Sequence, residues 1–292
     1  MTERSYDRTA EDFGNIVNLG HVNVCVSDHR LSTAYYISGL GLTRDPYITT
    51  GTNNMWVNVG MSQFHLPIGE PQKVRGTTGL VIRDREELLA RLAKVRKELA
   101  DTKFDFRESN DGVETTCPWG NLIRCHAPDP ARFGRMALGM AYIEFDVPPG
   151  TAAGIARFYR EIYGAPSEMI AGKEGQSAKV LAGERQHLIF RETSEPQKPY
   201  DGNHFQMYIA NFSGPYKKLQ ALGLITQESN QYQYRFKDIV DLDTRKVLYT
   251  IDHEVRAMSH PMYGRPLVNR NPNVNGNNYV PGKDAVSWAL DG

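Results

Sequence analysis

The sequence predicts an α+β protein assembled from one small unit used four times. Three observations carry this. Residues 20–42 read as strand, cap, helix and glycine stop. Val22, Val24 and Val26 alternate with His21, Asn23 and Cys25, as on a half-buried strand. Asp28 is a helix-capping residue type, Leu31, Ala34 and Tyr35 follow at helical spacing, and Gly39 and Gly41 end the helix. The same pattern returns in residues 141–166, where Tyr36 finds its match in Tyr159, Gly41 in Gly164 and His65-Leu66 in His187-Leu188. Internal recurrence of this kind decides architecture before any local reading does. Finally, each strand–helix start is followed by three more short strand-like segments, giving βαβββ in every quarter of the repeat region.

In chain order, residues 1–17 are a polar N-terminal arm without the apolar core of a signal peptide. Strand 19–27 and helix 29–39 follow, then strands at 55–59 and 63–67, the latter ended by Pro67 and Gly69. The second unit begins with a short apolar strand at 79–83. Its helix, 86–99, carries Leu88, Leu89, Leu92, Val95 and Leu99 on one stripe. Strands at 104–107, 112–116 and 121–126 complete it, with a tight turn at 117–121. A linker is expected from Pro128 to Gly139. Strand 141–147, helix 152–163 and strands near 168–172, 177–182 and 186–191 form the third unit. Strand 204–210, helix 213–222 and strands near 225–229, 232–238 and 246–254 form the fourth. The expected domains are therefore 18–130 and 138–256. Beyond them, 257–292 reads as an extended arm, because six of the ten residues 269–278 are Asn and prolines recur. That arm is expected to pack along the domains or across a second copy of the chain, anchored by Val268, Tyr279, Val280 and Trp288, so a homo-oligomer is left open.

Composition narrows the function classes. Lys plus Arg and Asp plus Glu number 34 each, so no global field favours nucleic acid or an anionic membrane. No apolar run approaches the roughly 20 residues that span a bilayer. Three scattered cysteines without a CxxC pair argue against a disulfide framework or a cysteine zinc site, and the expected setting is a reducing cytoplasm.

The βαβββ units, with His21, Val26-Ser27-Asp28, Tyr35-Tyr36 and Leu40-Gly41-Leu42, resemble the vicinal oxygen chelate superfamily, which includes glyoxalase I, type I extradiol dioxygenases and bleomycin-resistance proteins. The resemblance covers roughly residues 18–255. It implies two domains, each a curved eight-stranded mixed sheet with flanking helices, formed by successive units. It also implies metal ligands on the first and fourth strands of paired units. Carried over residue by residue, the first pair of units offers His21 and His65 but faces them with Gly79 and with Arg124, or in a second alignment His126, so these histidines are expected to bind substrate. The second pair offers His187, His204, Glu144 and Glu254 as metal ligands; for the last strand, Leu248 or Thr250 aligns first, with Asp252 and Glu254 further along the same face. His204 and Tyr249 are the expected catalytic residues, and Tyr142, Gln206 and Tyr208 line the substrate.

Two imidazoles and a carboxylate suit Fe(II), with Mn, Zn or Ni as alternatives. The implied function is a metal-dependent, extradiol-dioxygenase-like enzyme on a small oxygenated substrate such as an aromatic diol or carbonyl compound. The alternatives are a glyoxalase-like lyase or isomerase, and a metal-free small-molecule binder of the bleomycin-resistance type.

Overall fold

The computed structural model describes residues 6–45, 53–171 and 175–264. Four units are present, as the repeat predicts. The first contains β1 (Ile16–Asn23), β2 (Thr43–Arg44), β3 (Asn54–Val59) and β4 (Ser62–Pro67). The second contains β5 (Gly76–Val81), β6 (Asp105–Ser109), β7 (Gly112–Thr116) and β8 (Leu122–His126). The third contains β9 (Gly139–Val147), β10 (Ser167–Ala171), β11 (Gln176–Leu181) and β12 (His187–Glu192). The fourth contains β13 (His204–Ile209), β14 (Ile225–Asn230), β15 (Gln233–Val240) and β16 (Val247–Ala257). Every unit orders its strands first, fourth, third, second.

The helices follow the first strands. In the first unit, α1 (His29–Ser32) continues as a π-helical stretch, Thr33–Gly39. Asp28 caps it, its carboxylate accepting from the N–H groups of Arg30 and Leu31. The second unit has α2 (Arg85–Val95), capped by Asp84. The short α3 (Pro130–Phe133) sits in the linker. In the third unit, α4 (Ala152–Phe158) runs into a π-helical turn, Tyr159–Tyr163, and stops at Gly164 with a φ of 64°, a left-handed position that favours glycine. The fourth unit has α5 (Ser213–Ala221).

The pairing of units differs from expectation. One eight-stranded sheet joins the first unit to the fourth, through antiparallel β1 and β13. The other joins the second to the third, through β5 and β9. Each sheet thus crosses the boundary drawn between residues 130 and 138. The repeat pattern is local to each unit, whereas pairing depends on which first strands meet edge to edge, and alternation along a strand carries no information about that choice.

Both sheets turn apolar faces inward to a common core. Phe145 of β9 reaches the rings of Phe190 on β12 and Phe205 on β13, so the two sheets interlock through aromatic side chains. Gly76 permits the close approach of β5 to β9: its φ is 147°, and a Cβ there would lie 1.9 Å from the Glu144 carbonyl oxygen. Among the described residues no helix is long and apolar enough to cross a membrane. Val268, Tyr279, Val280 and Trp288 lie outside the described residues.

Candidate metal centre

Strands alternate faces, so residues two apart point together. In the first sheet, β13 turns Phe205, Met207 and Ile209 to the core and His204, Gln206 and Tyr208 to the opposite face. The same rule puts His21 and Asn23 of β1, Gln63 and His65 of β4, and Asp252, Glu254 and Arg256 of β16 on that face. Register brings them level: Asn23 pairs with both His65 and His204, His21 pairs with Gln206, and Gln206 pairs with Glu254. The result is a polar face that is nonetheless buried, with His21 2% and Glu254 3% exposed.

One ligand-type atom each from His21, His65 and His204 lies within 4.8 Å of the others. Glu254 joins them, its Oε2 3.4 Å from His204 Nε2 and its Oε1 4.0 Å from His21 Nε2. Burial depresses the basicity of His21 well below the ordinary imidazole range. His65 is lowered to about 3, first by burial and then by its neighbour His204. Both are therefore neutral near pH 7. Their Nε2 atoms are buried and, among the described residues, have no hydrogen-bond partner. An orphaned buried nitrogen is costly unless something else uses its lone pair. A divalent cation would do so, and the donor set of three imidazoles and a carboxylate fits one.

The surroundings orient these groups. Asn23 Nδ2 stands 2.5 Å from His65 Nδ1. The two ends of the amide are alike in shape, and with the amide turned over its oxygen would accept Nδ1–H and leave Nε2 as the free acceptor. Trp56 stacks on His65 at 3.9 Å and meets His21 edge-on at 5.0 Å. Arg235 donates to Glu254 and, at 2.9 Å, to Asp252; Arg256 Nη2 lies 2.6 Å from Glu254 Oε1. Burial would raise the Glu254 carboxyl, but the contact with His204 and these two guanidiniums hold it well below the usual carboxylate range.

The other expected site residues divide between the sheets. Gln206 and Tyr208 share the face and the strand of His204. His187 and Glu144 are carried by β12 and β9 of the second sheet. His187 pairs with Tyr142, whereas His65 pairs with Asn23, two residues beyond His21; the two histidines match in sequence but sit two residues out of register. Glu144 makes its nearest ion pair with Arg191, at 3.6 Å. Tyr142 covers Gly79 and bonds His126 at 2.9 Å. Tyr249 points to the core side of β16, near Phe145 and Phe190, with the Arg75 guanidinium 4.3 Å over its ring. Arg235, Arg256 and Asn23 were not singled out from sequence. For Asn23 the signal was present, since it shares a face with His21.

No known family pattern matches this sequence, and no curated protein matches it. Solved structures do resemble the fold. A putative dioxygenase from Bacillus subtilis is 14% identical, with a TM-score of 0.57 over 85% of this chain and 87% of the other. Glyoxalase I from Zea mays is 12% identical, with a TM-score of 0.59 over 82% of this chain and 92% of that one. With four βαβββ units in two eight-stranded mixed sheets, and these neighbours over more than four-fifths of its length, the chain has the fold of the vicinal oxygen chelate superfamily.

Proposed function

We propose that the protein is a metal-dependent enzyme of the vicinal oxygen chelate type, with its centre formed by His21, His65, His204 and Glu254. The observation that supports this most is the pair of orphaned imidazole nitrogens facing a buried carboxylate. A bound divalent cation would act there as a Lewis acid on two neighbouring oxygens of a small substrate. The chain's own contributions are distinct. Neutral His21 and His65 offer lone pairs without having to lose a proton. Asn23 fixes the ring of His65. Arg235 and Arg256 keep Glu254 ionised. Gln206, buried and with both amide atoms unpartnered among the described residues, supplies a donor and an acceptor to a substrate oxygen. The resemblance to a dioxygenase and to a glyoxalase makes either an oxygen-dependent cleavage or a lyase or isomerase reaction the class to assay, with Fe(II) first and Mn, Zn or Ni after it.

A second reading has its own support. Arg235 and Arg256 neutralise Glu254 and Asp252, so these four groups balance in charge without a cation, as suits a metal-free small-molecule binder. Elemental analysis of full-length protein purified without chelator separates the two. One equivalent of a transition metal supports the enzyme; none retained, and none taken up on addition of Fe(II), Mn(II), Zn(II) or Ni(II), rejects it. Asn23→Ala should weaken metal binding about 10- to 100-fold while leaving the fold intact, as loss of an orienting partner does. Competition with a chelating dye reads this directly, and an unchanged constant would remove Asn23 from the centre.

A further inference from the structure

Two cavities adjoin at the rim of this centre. The inner one, about 30 Å³, is walled by His21, Gln63, Gln206, Tyr208 and Arg256. The outer one, about 540 Å³, lies against the linker between the second and third units, with Met61, Met136, Leu138, Met140 and Tyr263 in its wall. Asn18, Met61 and Gly264 border both.

Two buried glutamines show what each region is built for. Gln186 lies in the wall of the outer cavity with its amide fully used: it accepts from the Leu19 N–H at 3.0 Å and donates to the Met140 carbonyl at 2.9 Å and to Ser62 Oγ at 3.0 Å. It ties β1, β4 and β9 together beneath the outer cavity. Gln206 is 0% exposed, yet neither amide atom has a partner among the described residues. Gly20 makes the room for it, since a Cβ at that position would lie 1.8 Å from Gln206 Oε1. A buried amide held in a built recess with nothing to bond is a seat for something else. The outer cavity is more apolar, with Arg135 and Glu184 in its wall beside the methionines and Leu138. Met61 is 70% and Leu138 45% exposed along it, and methionines adapt their shape to what they cover.

From this we infer that the substrate is elongated and amphiphilic. A single oxygen of its head enters the inner cavity, which has room for about one or two water-sized groups, beside Gln206 and His21. Its apolar chain or ring system runs past Met61 into the methionine-lined cleft. The role of the head rests on the metal-centre reading above; the placement of the apolar body does not.

The test is calorimetric titration of the full-length protein, with and without Zn(II), by catechol, 4-methylcatechol, 4-butylcatechol and 4-octylcatechol. Affinity should rise about three- to fourfold per methylene along the series in both forms. Leu138→Arg should abolish that gain per methylene. Gln206→Leu should weaken every member about five- to tenfold, the loss of one net hydrogen bond, and leave the gain per methylene unchanged. Absence of a chain-length dependence, or its survival in Leu138→Arg, overturns the inference. Failure to take up zinc with the chain-length dependence intact overturns the metal reading alone and leaves this one standing.

Discussion

Replacing His21 by alanine should release the bound cation as thoroughly as replacing His204, with affinity falling by at least about 100-fold in either variant. Both imidazoles face the same buried space, with ring centroids 5.6 Å apart, and Glu254 lies within 4.0 Å of each. Removing either leaves the remaining donors in a site too dry for water to replace the missing ligand fully. His187→Ala is the informative control, because His187 sits on β12 of the other sheet and should bind metal as the unaltered protein does. Competition with a chelating dye, with metal stoichiometry alongside, gives the answer. Wild-type affinity in His21→Ala, or its loss in His187→Ala, would put the centre in the wrong sheet.

Phe145→Ala should be the most damaging core substitution, costing about 3–5 kcal/mol. Phe145 is 1% exposed, and its ring lies 5.4 Å from Phe190, 5.7 Å from Phe205 and 6.0 Å from Tyr249. Those partners come from both sheets, so the void cannot collapse without parting one from the other. For a chain of this size such a loss lowers the melting temperature by roughly 5–8 °C. Thermal unfolding followed by circular dichroism measures it. A fall of less than about 2 °C would mean that the sheets are held together elsewhere.

Much of the fold could be read from the sequence because its signals are local. Alternation at Val22, Val24 and Val26, the Asp28 cap and the stripe on 86–99 each reflect a few neighbouring residues, and recurrence multiplied them by four. The candidate centre was only half legible. From sequence, His204 and Glu254 are expected as metal ligands, whereas His21 and His65 are expected to bind substrate, in a different pair of units. The error came from joining successive units, a choice that the strand patterns do not encode. Glu254 was also obscured by strand length. β16 runs from Val247 to Ala257, and counting from its start, as the shorter β4 and β12 invite, lands on Leu248 rather than near the end of the strand. Asn23, Arg235 and Arg256 look like ordinary sheet polar residues until the fold shows what they touch.

The joining of the first unit to the last has a consequence for how the molecule is made. During synthesis the second and third units can close their sheet as soon as both have emerged, since they are neighbours in sequence. The first unit cannot: the partner edge for β1 is β13, which emerges only after most of the chain. Until then β1 presents an open hydrogen-bonding edge beside apolar Val22 and Val24, a template for wrong pairing with other chains. Formation of the β1–β13 ladder should therefore be the slow step of refolding, because it is the longest-range strand pairing among the described residues. The histidines and Glu254 converge only when that ladder forms, so a divalent ion that binds them would report completion of the fold and resist its reversal.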